Sequence, residues 1–399
     1  MDIIVYPGKL QGDLTAIPSK SQAHRLLICA AFADRHTRII CKSTNKDIEA
    51  TAQCLNALGA TIQRTNEGYE VDPISTIADK PILNCNESGS TLRFMLPIVG
   101  AMGVNATFKL AGRLPQRPLS PLWEEMERMG CRLELTDSNT LQCTGKLHSG
   151  EYHIAGNVSS QFITGLLYAA ALMEGTSVIH VEGKIESKPY IDMTCDALMQ
   201  FGVHARPNSP VHGIQKFNSP GELTVEGDWS NSAFFLAANA LGSNIHINGL
   251  NNESKQGDRA CKVLFEDLKE RILIDGTDIP DLIPILSVVA SAKSGAEFIN
   301  IGRLRLKESD RINTVGQMLN ALGIPTTQGT DSLIVESGSF NSCTVDAAND
   351  HRIAMSAAIA ATVSTGPVTI LGADCIEKSY PDFWKEFEKL GGKYEQHIR

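Results

Sequence analysis

The sequence predicts an α/β protein of two domains built from repeated units, and three observations lead there. The chain has 399 residues, more than one ordinary hydrophobic core serves. Strand-like runs alternate with amphipathic helices from end to end. One local pattern, a helix ending apolar-x-x-apolar-Gly and running into a strand, recurs along the chain.

In chain order the recurring endings are Leu55-Asn-Ala-Leu58-Gly59, Met126-Glu-Arg-Met129-Gly130, Leu198-Met-Gln-Phe201-Gly202, Leu319-Asn-Ala-Leu322-Gly323 and Phe387-Glu-Lys-Leu390-Gly391. Each puts glycine where a helix stops in the left-handed conformation. These glycines lie 71, 72, 121 and 68 residues apart. The long interval holds an amphipathic stretch, 263–272, read as a helix without its glycine. Six units of about 66 residues would fill the chain. Residues 176–181, 245–248 and 367–371 read as strands between the helices. The stretch 225–229, before a new helix, is the expected domain boundary.

Net charge is −9, with 36 Lys+Arg against 45 Asp+Glu, so the basic excess of a nucleic-acid surface is missing. Any bound anion must be held by a few placed cations. The ten cysteines form no C-x-x-C pair and no zinc-like spacing; several, such as Cys29, sit in apolar runs and are expected as buried free thiols. Residues 1–6 lack the pattern of a signal peptide, and the apolar run 353–363 is about half a membrane span. The expectation is a cytoplasmic protein with no membrane and no nucleic-acid partner.

Four expected helix starts share one chemistry: Ser19-Lys20-Ser21-Gln-Ala-His24-Arg25, Ser88-Gly89-Ser90-Thr91-Leu92-Arg93, Ser159-Ser160-Gln161 and Asn349-Asp350-His351-Arg352. Free N–H groups and the positive dipole end favour an anion there, and hydroxyls or cations add charge-assisted hydrogen bonds. Each Ser or Asp is also an ordinary N-cap. Four together, three carrying a basic residue in the first turn, favour a multi-anion substrate. Arg303, Arg305 and Lys307 alternate with apolar residues, either as on a strand with one basic face or as surface salt-bridge lacing. Asp281 precedes an apolar helix, either as an N-cap or as a partly desolvated base.

Read in order, these stretches resemble the signature segments of the 5-enolpyruvylshikimate-3-phosphate synthase family. To those above are added Arg113-Leu-Pro-Gln-Arg117-Pro-Leu119, Ser187-Lys-Pro-Tyr-Ile-Asp192, Glu226-Gly-Asp228, Leu306-Lys-Glu-Ser-Asp-Arg311 and Lys378-Ser-Tyr-Pro-Asp382. The resemblance covers residues 3 to about 390. It implies an inside-out α/β barrel in two domains, each of three βαβαββ units around a pseudo-threefold axis. Domain one would span 15–227; domain two would combine 1–14 with 228–399; the substrates would lie in the cleft between them.

The implied reaction, part of aromatic amino acid biosynthesis, moves the enolpyruvyl group of phosphoenolpyruvate to the 5-hydroxyl of shikimate 3-phosphate through a tetrahedral intermediate, without cofactor or metal. The resemblance assigns Lys20, Asp281 and Glu308 as catalytic. It gives phosphoenolpyruvate to Lys20, Gly89, Arg117, Gln161, Arg311, Arg352 and Lys378. It gives shikimate 3-phosphate to Lys20, Ser21, Arg25, Ser159, Ser160, Gln161, Ser187, Asp281 and Lys307. A monomer is expected. This sequence departs from the family at Ile17-Pro18 before Ser19, at Glu87-Ser88, at Phe94, and at Arg303 where many members have Asn. Two rivals share the fold. A UDP-N-acetylglucosamine enolpyruvyl transferase usually has Cys five residues before the arginine matching Arg117, where this chain has Gly112. A non-catalytic phospho-ligand binder would need the cations but not Lys20, Asp281 and Glu308.

Overall fold

A computed structural model describes residues 1–397. Contacts divide the chain into two compact units: Pro18–Val225, and Met1–Ile17 together with the chain from Glu226 onward. These limits differ by two or three residues from the expected 15–227. The reason is local: Gln11–Thr15 pairs in parallel with Asn244–Asn248, and Ala16 and Asp228 continue that pairing through hydrogen bonds to Asn248 and Ile17.

Within Pro18–Val225 the strands form three sheets. One is Glu222–Thr224, Thr37–Ile40, Gly68–Asp72 and Thr61–Arg64; the second is Ile82–Asn86, Ala106–Leu110, Thr140–Gly145 and Cys131–Asp137; the third is Glu151–Ala155, Thr176–Glu182 and Pro210–His212. Helix Gly89–Met102 connects the parallel pair of the second sheet, and helix Ser160–Leu172 that of the third. In the other unit helix Ile283–Ala292 connects parallel strands Ile272–Asp275 and Ala296–Ile299, and helix His351–Ala361 connects Cys343–Asp346 and Val368–Leu371.

These crossover helices are apolar on nearly every side. Every residue of His351–Ala361 is buried, and only Ala292 of Ile283–Ala292 escapes burial. Such helices belong in a core. The strands instead alternate buried and open positions, with sheets outside and helices inside. Hydrophobic cores close separately in the two units. Among the described residues no helix is long and apolar enough to cross a membrane.

All five recurring glycines adopt positive φ, from +75° at Gly202 to +119° at Gly59. The unmarked copy is different. Its helix is Cys261–Asp267, not 263–272, and Ile272 begins a strand paired with Ala296. Charged Lys269, Glu270 and Arg271 form the exposed turn, with Arg271 bound to Glu336 at 2.8 Å. The expected basic strand around Arg303 is also corrected: Gly302–Leu306 is a 3₁₀ helix. Arg305 there binds the Gly329 and Thr330 carbonyls and Asp310, so the alternation reflects loop anchoring, not a sheet face.

Candidate active site

Each unit presents one charged cluster at the starts of its buried helices. In Pro18–Val225, Ser19 caps helix Lys20–Ala31 by accepting from the Gln22 N–H. Lys20 therefore stands at the first helical position, where no acid shares the turn. Its Nζ lies 3.1 Å from Asp47 Oδ2, in the first turn of helix Lys46–Leu58. Asp47 was not foreseen from sequence. Five residues on, Arg25 is only 2% exposed; it donates to Thr194 Oγ1 and to the Ser21 and Tyr190 carbonyls, and lies over the Phe94 ring. Three of its five N–H groups are thus committed within the protein, which fixes the direction of the rest.

Ser88 caps helix Gly89–Met102, so Gly89 is its first residue. A Cβ on Gly89 would lie 2.5 Å from Arg93 Nη1 and 2.8 Å from Arg117 Nη1, so the bare backbone makes room for both guanidiniums. Arg93 also donates to Gln161 Oε1 (3.3 Å) and the Pro118 carbonyl (3.1 Å), and Gln161 donates to Ser90 Oγ (2.9 Å). Gly89, Arg117 and Gln161, distant in sequence, form one cluster around Arg93. The partners of Arg93 are not legible in the sequence, because Pro118 and Gln161 lie far from it along the chain.

Ser159 caps helix Ser160–Leu172 through the Gln161 N–H. Ser187, 3% exposed, sits before helix Lys188–Gln200 at φ +54°, which disfavours any residue with a side chain. Its hydroxyl makes no capping bond. Strain held at a buried hydroxyl is a mark of a functional position.

In the other unit Arg311 is the centre. Its guanidinium, 1% exposed, donates from Nε to Asp350 Oδ2 (2.8 Å), from Nη1 to Asp281 Oδ1 (2.7 Å), and from Nη2 to Glu308 Oε2 (2.6 Å) and Asp350 Oδ1 (3.3 Å). Asp350 is fully buried, also caps helix His351–Ala361, and accepts from Ser309. Burial opposes the charge of Asp350, yet Arg311 overcomes it and holds the carboxyl below its ordinary range. Asp281 meets two further cations: Arg352 Nη2 at 3.3 Å and Lys307 Nζ at 3.9 Å. Burial pushes Lys307 down to about 8 against the pull of Asp281. Lys378 donates to the Asn349 carbonyl at 3.0 Å, just before Arg352. Four of the five Arg311 N–H groups are engaged by these acids, which leaves a single N–H for any other partner.

Asp258 is a group the sequence did not suggest. It is 3% exposed, and its Oδ1 has no hydrogen-bond partner among the described residues. Burial first, and the charge of Asp281 second, push its carboxyl up to about 7, opposed by Arg352. Asp281 and Glu308 thus share the Arg311 guanidinium, with Arg352 and Lys307 beside Asp281, so fixed cations and carboxylates alternate within one cluster.

A family model described as EPSP synthase (3-phosphoshikimate 1-carboxyvinyltransferase) matches residues 4–273 and 267–387. A Clostridium kluyveri protein named 3-phosphoshikimate 1-carboxyvinyltransferase is 38% identical, covering 99% of this chain and 98% of the relative. One of the same name from Clostridium beijerinckii is also 38% identical, with 98% of both chains covered. Among solved structures, an Acinetobacter baumannii EPSP synthase aligns over 99% of this chain and all of its own, at TM-score 0.81 and 22% identity. The enolpyruvyl transferase NikO from Streptomyces tendae aligns over 100% and 99%, at TM-score 0.78 and 17% identity.

Proposed function

We propose roles for the two charged clusters from one premise: this chain belongs to the EPSP synthase (3-phosphoshikimate 1-carboxyvinyltransferase) family. It is a transferase that moves the enolpyruvyl group of phosphoenolpyruvate to shikimate 3-phosphate in aromatic biosynthesis. The observation that carries the assignment of roles is Asp281, whose carboxylate meets Arg311, Arg352 and Lys307.

In this reading Asp281 takes the proton of the 5-hydroxyl as its oxygen bonds to C2 of phosphoenolpyruvate. Lys20 or Glu308 supplies a proton to C3, giving a tetrahedral ketal phosphate. Loss of a C3 proton and cleavage of the C2–O bond then release phosphate and restore the double bond. Arg117, Arg352, Lys378 and Gln161 hold phosphoenolpyruvate, with Arg311 sharing its last N–H. Arg25, Ser21, Ser159, Ser160, Ser187 and Lys307 hold shikimate 3-phosphate. Fixed cations cost no reorganisation as charge develops, which is where such sites gain most. Phosphate release from phosphoenolpyruvate should require shikimate 3-phosphate; release with UDP-N-acetylglucosamine instead would overturn the assignment. Against that acceptor stands Gly112, at φ +54°, a left-handed conformation that a cysteine would adopt only with strain.

Two expectations follow from this reading. Gly89→Ala should push Arg93 and Arg117 aside and raise KM for phosphoenolpyruvate roughly tenfold, about 1.4 kcal/mol, with a smaller change in kcat. Steady-state kinetics with varied phosphoenolpyruvate checks this; an unchanged KM removes Gly89 from the site. Lys307 is a cation below its pKa of about 8 and neutral above it. Hence kcat/KM for shikimate 3-phosphate should fall as pH rises through about 8, because that ratio reports the free enzyme. Lys307→Arg, which stays charged, should flatten that limb of the profile.

A further inference from the structure

Away from both clusters, the third sheet of Pro18–Val225 carries a second concentration of ligating side chains. Strands Glu151–Ala155 and Thr176–Glu182 run parallel, with His153 directly opposite His180 and Ala155 opposite Glu182. The period-two alternation of a strand sends Tyr152 and Ile154 inward and leaves Glu151 and His153 on the open face. The imidazoles stack with centroids 4.9 Å apart and planes within 19°. His153 Nδ1 lies 2.9 Å from Glu182 Oε1, and His180 Nε2 lies 3.8 Å from Glu151 Oε2.

One ligand atom from each of Glu151, His153 and His180 falls within 4.8 Å of the others. His180 Nε2 is enclosed yet has no hydrogen-bond partner among the described residues. An enclosed nitrogen without a partner is uncommon in a folded protein and points to a missing contact. Meanwhile Glu182 engages His153 Nδ1, which leaves its Nε2 as the ligating nitrogen, oriented as carboxylates orient zinc-binding histidines.

We propose that Glu151, His153 and His180 bind a divalent transition-metal ion of the zinc class, with Glu182 positioning His153. Two imidazoles and a carboxylate favour zinc, nickel, cobalt or copper over magnesium and calcium, which prefer oxygen-only shells. Tetrahedral donors around zinc stand roughly 3.3 Å apart, so donors that now lie within 4.8 Å of one another must close by up to about 1.5 Å. They are half-exposed and free to do so; their side chains retain 72%, 49% and 37% of their accessibility. The ion would tie together the two strands that lead into Ser159-Ser160 and Ser187. It lies outside the proposed chemistry, so it should affect stability and not turnover.

The test is titration of chelator-treated protein with Co²⁺ and Zn²⁺. Native protein should take up one equivalent of Co²⁺ with visible absorption bands of a nitrogen-oxygen site, displaced by Zn²⁺, and its Tm should rise with the ion. The double variant His153→Asn/His180→Asn and the single variant Glu151→Gln should bind at least tenfold more weakly, with the Tm of ion-free protein and phosphate release unchanged. Absence of saturable uptake by the native protein overturns the proposal. So does equal binding by the double variant, which would put the ion on other residues.

Discussion

Lys20→Met is expected to remove measurable turnover while leaving the fold intact. The variant breaks the Lys20–Asp47 pair, whose side chains keep 17% and 18% of their accessibility, and partly solvated pairs contribute on the order of 1 kcal/mol. A positioned proton donor and acceptor is worth roughly a hundred- to ten-thousandfold in rate. Phosphate release should therefore fall by that factor in metal-free buffer, with a melting transition near that of the native protein. Asp47 gives a second arm to the test. Asp47→Asn keeps the lysine but loosens its hold, so kcat should drop by less than in Lys20→Met. Normal turnover in Lys20→Met would end the proton-transfer assignment.

The second large effect is expected at Asp281. Asp281→Ala should lower kcat by two to four orders of magnitude, an estimate for loss of a general base, while binding of shikimate 3-phosphate weakens far less. The structure adds a complication to the alanine variant. Arg311 is 1% exposed and Arg352 is also buried, so deleting the carboxylate leaves both with an uncompensated bond. Removing one partner of a buried pair costs about 3–5 kcal/mol. Asp281→Asn keeps an acceptor toward Arg311 Nη1 and should melt well above the alanine variant, yet be equally slow. Binding by calorimetry, kinetics and melting separate the roles. An Asn variant with native kcat would show that Asp281 only braces Arg311.

The acid–cation network also changes how Arg311 is understood. From sequence it resembles one more cation for phosphoenolpyruvate, no different from Arg352. In the fold it is the post to which Asp281, Glu308 and Asp350 are tied, and its own reach toward a ligand is a single N–H. Asp258, with its carboxyl pushed up to about 7 beside that network, is a further acid whose state follows the charge on Asp281 and Arg352.

What the sequence by itself determined were features written within a few residues. Gly59, Gly130, Gly202, Gly323 and Gly391 end their segments in left-handed conformations because only glycine takes that turn without cost. Ser19, Ser88, Ser159 and Asp350 cap the helices they were expected to open, because each needs only its own side chain and an N–H two or three residues on. The α/β alternation followed from the same local periodicities. Tertiary structure alone decided which side chains meet. Asp281 and Asp350 converge on Arg311 across intervals that no periodicity spans, and His153 faces His180 only because two strands pair in one parallel register. Even the 263–272 stretch, helical by pattern, leaves the helix at Asp267 and ends in a strand, where Ile272 gains a partner in Ala296. Caps and turns are set by bonds along the backbone nearby, whereas pairing across the chain is set by topology and burial, which no short window of residues contains.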